Sequence, residues 1–100
     1  MKNFLFKLSL VVVLLLSIRT VSANVSLVVL GDSLSAGYGL SSQQTWVAEL
    51  QRRWQQSHPD YAIINASISG ETTTGGLRRL EGILERHKPD ALFIELGGND

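Results

Sequence analysis

The chain has 100 residues, nine basic and nine acidic side chains and no cysteine, so its formal net charge is zero and it has room for one domain at most. Without cysteine there is no disulfide framework, no cysteine nucleophile and no cysteine-ligated zinc. With no basic excess, nucleic acid is not an expected partner.

Residues 1–23 differ in kind from the rest. Lys2 and Lys7 form a short basic start, and the eleven residues Leu8–Ile18 are all apolar or serine. Val21-Ser22-Ala23 then offers small or modest residues at a cleavage site. The pattern is that of a secretory signal peptide cut after Ala23, which predicts a periplasmic or secreted protein starting at Asn24. A spanning helix needs about 20 apolar residues, so no stable membrane anchor is expected. Arg19, close behind the apolar run, keeps an uncleaved signal anchor as the competing reading. Without Lys2, Lys7 and Arg19, residues 24–100 carry six basic and nine acidic side chains, a net charge of −3.

Val25-Ser26-Leu27-Val28-Val29-Leu30 is a β-branched apolar run and reads as a buried strand. It stops at Gly31, and Ser33 follows two residues later. Taken alone, Asp32 and Ser33 are ordinary cap and turn residues. A serine just beyond a central strand, ahead of a helical stretch, also has the placement that a nucleophile needs. The glycines of Ala36-Gly37-Tyr38-Gly39 indicate an irregular loop, with Tyr38 read as cover for the core.

Gln43 to Ser57 reads as a helix. Trp46, Val47, Leu50 and Trp54 make one apolar stripe, Ser41 or Ser42 is the N-cap, and Pro59 blocks continuation. Both tryptophans read as core because they share the stripe with Leu50. Tyr61–Ala66 is the second strand, and Ser67-Ile68-Ser69-Gly70-Glu71 the loop after it. Thr72, Thr73 or Thr74 caps a second helix with Leu77, Leu80, Ile83 and Leu84 at helical spacing, ending at Lys88-Pro89. Ala91–Leu96 is the third strand, followed by Gly97-Gly98-Asn99-Asp100.

Strand, helix, strand, helix, strand is the signature of a parallel α/β sheet. Right-handed crossovers predict strand 1 between strands 2 and 3, with the helices on opposite faces. Ser33, Gly70 and Asn99 each follow a strand, so one edge of the sheet collects all three.

Gly31-Asp32-Ser33-Leu34-Ser35, the isolated Gly70 in Ala66-Ser67-Ile68-Ser69-Gly70, and Gly97-Gly98-Asn99-Asp100 resemble the first three blocks of the GDSL, or SGNH, hydrolases. The resemblance covers nearly all of residues 27–100. The stretches 31–38 and 95–100 are most similar to the exported bacterial branch of thioesterases, lysophospholipases and arylesterases. It implies a three-layer flavodoxin-like parallel sheet, present here as far as its third strand. It also implies a serine hydrolase acting without cofactor or metal on small acyl esters, thioesters or lysophospholipids. By the same resemblance Ser33 is the nucleophile, and the oxyanion donors are the backbone N–H groups of Ser33 and Gly70 and the side-chain amide of Asn99. Asp32 and Asp100 match motif positions as turn-fixing residues rather than as the acid of a triad.

The family's fourth block, an Asp and a His about three residues apart, is not found in the 100 residues. The two histidines, His58 and His87, follow helices that lead back to the opposite edge, which puts His58 on the order of 20 Å from Ser33. The chain is therefore expected to be the N-terminal part of a longer enzyme and inactive alone. Two readings compete with the hydrolase. One is a flavodoxin-like phosphotransfer or receiver domain holding Mg²⁺ on Asp32 and Asp100. The other is a non-catalytic periplasmic binding module.

Overall fold

A computed structural model describes residues 24–100; the expected signal peptide lies outside the described residues. The first strand, β1 (Val25–Gly31), is the middle of the sheet. It pairs in parallel with β2 (Tyr61–Asn65) on one side and β3 (Ala91–Glu95) on the other, giving the expected order β2-β1-β3. Val28, Val29 and Leu30 are at most 1% exposed, so both faces of β1 are covered. That is why its sequence is a continuous apolar run and not an alternation.

Register decides which residues share a face. Val28 lies beside Ile64 and Leu92, and Leu30 beside Ile94. On this side packs α3 (Thr73–His87), whose Ile83 joins Val28 and Leu30 in the core. The opposite face carries Val29, Asn65, Phe93 and Glu95, and it is met by α1 (Ser33–Ala36) and α2 (Trp46–Ser57). Two helical layers on opposite faces of a parallel sheet give the expected α/β architecture.

The element ends differ from expectation by a few residues. Residues Ser42–Gln44 form a 3₁₀ turn, and α2 starts at Trp46 because the Thr45 hydroxyl accepts the Ala48 N–H at 3.0 Å and caps the helix there. Thr72 caps α3 in the same way through Gly75 N–H. The apolar stripe of α3 is also rotated from the one expected. Gly76 and Ile83 are buried, Leu80 packs on the core, and Leu77 is 71% exposed. A Cβ at Gly76 would stand 2.6 Å from Leu96 Cδ1, so the helix approaches the sheet through its glycine and Leu77 is turned to the flank.

On α2 the carboxylate of Glu49 sits between Arg52 and Arg53, which hold it below the usual carboxylate range through side-chain hydrogen bonds. The group is solvent-exposed and adds little to stability.

Replacing Leu30 by Ala should cost about 2–5 kcal/mol of stability, because the cavity forms at the crowded centre of the sheet. Losing the α3 cap through Thr72→Ala should cost only about 1 kcal/mol. Urea midpoints of the two variants check this order; equal losses would show that β1 is not the centre of the core.

Candidate active site

At the end of β1 the chain turns sharply. Asp32 has φ −103° and ψ −150°, and its buried carboxylate accepts the Leu34 N–H at 3.0 Å, so it caps α1. Ser33 is the first residue of that short helix and is half-buried. The residues around it are held from several directions. Ser35 Oγ donates to Glu95 Oε1 at 2.9 Å and accepts the Trp46 indole N–H at 3.1 Å. The Ser35 carbonyl accepts Asn65 Nδ2 at 2.8 Å.

The loop after β2 is tied to the same turn. Ile68 N–H donates to the Gly31 carbonyl and Gly31 N–H donates to Ser67 Oγ, both at 3.0 Å. Gly70 follows with φ +84°, in the left-handed region, where an L side chain is strained. Nothing stands within 4 Å of the Cβ it lacks, so backbone conformation and not crowding calls for glycine there. Arg79 fixes this loop from α3. Its guanidinium pairs with Glu71 at 2.9 Å and donates to the Ala66 carbonyl at 2.9 Å.

The loop after β3 docks on the second. Asn99 Nδ2 donates to the Glu71 carbonyl at 3.0 Å. The nitrogen carries two hydrogens, so a second donor remains. Asp100 reaches α3, where its carboxylate accepts both the Thr73 N–H and the Thr73 hydroxyl at 2.9 Å. The turns bearing Ser33, Gly70 and Asn99 are thus linked in one continuous set of hydrogen bonds at one edge of the sheet. Among the described residues, the Ser33 and Gly70 N–H groups donate to no backbone carbonyl.

Of Asp32 and Asp100, the pair that a Mg²⁺ site would use, Asp32 accepts through Oδ1 from the Leu34 N–H and Asp100 through both oxygens from Thr73. These contacts match turn-fixing roles. The histidines stand at the other edge. His58 closes α2 and stacks on Tyr61, the first residue of β2, at 4.6 Å; His87 is the last residue of α3.

Three further expectations need correction. Tyr38 is 82% exposed and does not cover the core, since the loop carrying it turns outward after Gly37. Trp46 is 37% exposed at the margin of the sheet, edge-on to Phe93 at 5.4 Å, and its N–H serves the Ser33 turn. Trp54 is half-buried and packs edge-on against Tyr61. Sequence reasoning also passed over Glu95, Ser35, Asn65 and Arg79, which build the scaffold of the site. The one available signal was Glu95, an acidic residue closing an apolar strand. A recess of about 530 Å³ lies between β2 and α3, with Arg78, Arg79 and Arg86 in its lining.

Residues 29–100 match the GDSL-like Lipase/Acylhydrolase family. The chain is 52% identical over 79 residues to Esterase TesA of Pseudomonas aeruginosa, which covers 79% of this chain and 39% of that protein. It is 43% identical over 97 residues to Thioesterase 1/protease 1/lysophospholipase L1 of Escherichia coli, covering 97% of this chain and 45% of that one. Its fold matches the crystal structure of AlinE4, an SGNH-hydrolase family esterase, with a TM-score of 0.70 at 37% identity, over 82% of this chain and 43% of the other. The chain therefore spans less than half the length of each of these relatives. A family match reaching from β1 through all three strand-end turns, on a sheet with the same topology as solved relatives, places the chain in the GDSL-like lipase/acylhydrolase family.

Proposed function

We propose that this chain carries the nucleophile and oxyanion hole of an exported serine hydrolase that cleaves carboxylic esters and acyl thioesters, lysophospholipids among them. The observation that carries the reading is the convergence of the Ser33, Gly70 and Asn99 turns through direct hydrogen bonds. Membership of the family and the esterase, thioesterase and lysophospholipase names of its relatives support the substrate class.

In this mechanism Ser33 Oγ attacks the acyl carbonyl carbon and gives its proton to a histidine base. The carbonyl oxygen becomes an oxyanion, held by the Ser33 and Gly70 N–H groups and the free N–H of Asn99 Nδ2. Collapse of the tetrahedral intermediate breaks the C–O or C–S bond. The leaving group takes the proton, and an acyl-enzyme remains on Ser33. Water then repeats the sequence and releases the acid. We assign the base and its orienting Asp to residues beyond Asp100, since His58 and His87 close helices at the far edge of the sheet. No cofactor enters any step.

An oxyanion donor acts in the transition state more than in substrate binding. In the full-length protein, Asn99→Ala should lower kcat by about 10²–10³-fold with KM little changed. Asn99→Asp should be at least as damaging, because it sets a negative charge against a developing one. Steady-state kinetics on a short aryl ester and an acyl thioester, with and without EDTA, check this. Near-normal kcat in Asn99→Ala, or activity removed by EDTA, would sink the assignment.

Export rests on residues 1–23. The mature protein should begin at Asn24 in a secretion-competent host, as read by N-terminal sequencing. A start at Met1 on membrane-bound material would favour the signal anchor instead.

A further inference from the structure

Glu95 closes β3 and is the register partner of Gly31. Its side chain lies on the α1 face of the sheet. There its Oε1 accepts the Ser35 hydroxyl at 2.9 Å and lies 3.4 Å from the Asp32 N–H. Gly31 makes this crossing possible: a Cβ there would stand 2.8 Å from Ser35 Oγ and 2.9 Å from Glu95 Oε1. The direction of the bonds follows from chemistry. An indole N–H is a donor only, so Ser35 Oγ accepts from Trp46 and its own hydrogen must face Glu95. Ser35 is 0% exposed, so no water competes for that hydrogen.

Glu95 therefore grips both sides of Ser33, the residue before it through the backbone and the residue two after it through a buried hydroxyl. Four residues further along the chain is Asn99. We propose that Glu95 is a positioning residue that holds the Ser33 turn in fixed relation to the Asn99 loop. The inference rests on the reading of Ser33 as nucleophile and Asn99 as oxyanion donor. Its physical content is alignment. A nucleophile misplaced by about 1 Å loses on the order of 10²-fold in rate, while substrate binding at remote contacts is unaffected.

The test uses full-length enzyme, with kcat expressed per Ser33 titrated by an aryl phosphonate, so that unfolded protein does not count. Glu95→Ala should lower kcat per titrated site by about 10–10²-fold with KM within about twofold. Glu95→Gln keeps an acceptor oxygen facing Ser35 and should restore most of the rate. Ser35→Ala removes the hydroxyl through which Glu95 acts, so adding it to Glu95→Ala should cause little further loss. If Glu95→Ala does not fold, Ser35→Ala decides the matter, with a loss of kcat per titrated site of about 10-fold or more expected. A kcat per site within twofold of wild type in Ser35→Ala, and in Glu95→Ala where it folds, or fully additive losses in the double variant, would overturn the positioning role. Failure of the function itself looks different: wild type would not be labelled by the phosphonate, or Ser33→Ala would keep wild-type turnover.

Discussion

The site depends on a position that has no side chain. Gly31 spends both backbone groups on the second loop, its N–H on Ser67 Oγ and its carbonyl on Ile68 N–H. Its register places it beside Glu95 of β3. The space where a Cβ would stand is taken by Ser35 Oγ and Glu95 Oε1. One residue thus joins the ends of all three strands, and it can do so only because it is bare. Alanine there would have to displace two hydrogen-bonded groups or move the strand, and either change would reach Ser33 two residues later.

Packing and polar bonding divide the work unevenly across the sheet. β1 is buried on both faces, whereas Phe93 and Ile94 of β3 are 48% and 55% exposed although they point to opposite faces. Within residues 24–100, apolar burial is concentrated on β1. What holds the loop after β3 is mainly polar: Glu95 to Ser35, Asn99 to the Glu71 carbonyl, and Asp100 to Thr73. Among the described residues these bonds are the direct ties that link the Asn99 loop to the other two turns.

Much of this was legible in the sequence. The β-branched run of β1, the helix-breaking prolines and the glycines after each strand predict the parallel sheet, its order and the edge that gathers Ser33, Gly70 and Asn99. The scaffold was not legible, because it depends on register. Glu95 meets Ser35 only once β3 is aligned so that residue 95 lies beside residue 31, and no local pattern states that alignment. The same holds for Asn65 to Ser35 and Arg79 to Ala66, which join residues 30 and 13 apart. Trp46 was misread for a related reason. Helical periodicity puts it on the apolar stripe, but it is the first residue of α2, where its ring reaches past the core to Phe93 and Ser35. Leu77 shows the opposite failure: a stripe drawn through Leu77, Leu80, Ile83 and Leu84 misses that Gly76, with no side chain, faces the sheet.

The charges around the site follow one rule. Asp32, Glu71, Glu95 and Asp100 crowd the three turns, and an unpaired carboxylate near a developing oxyanion would oppose it. Glu71 is paired with Arg79, while Asp32, Glu95 and Asp100 accept hydrogen bonds from Leu34 N–H, the Ser35 hydroxyl and Thr73, which fix where their carboxylates point. The groups that the proposed mechanism presents to a substrate carbonyl are neutral: a hydroxyl, two backbone N–H groups and one amide hydrogen. Neutral donors in fixed positions stabilise a transient negative charge without attracting a permanent counter-charge that would have to be displaced first. The acidic residues thus act as architecture. They accept from the donors of the turns, and in the proposed mechanism the donors of Ser33, Gly70 and Asn99 remain for the reaction.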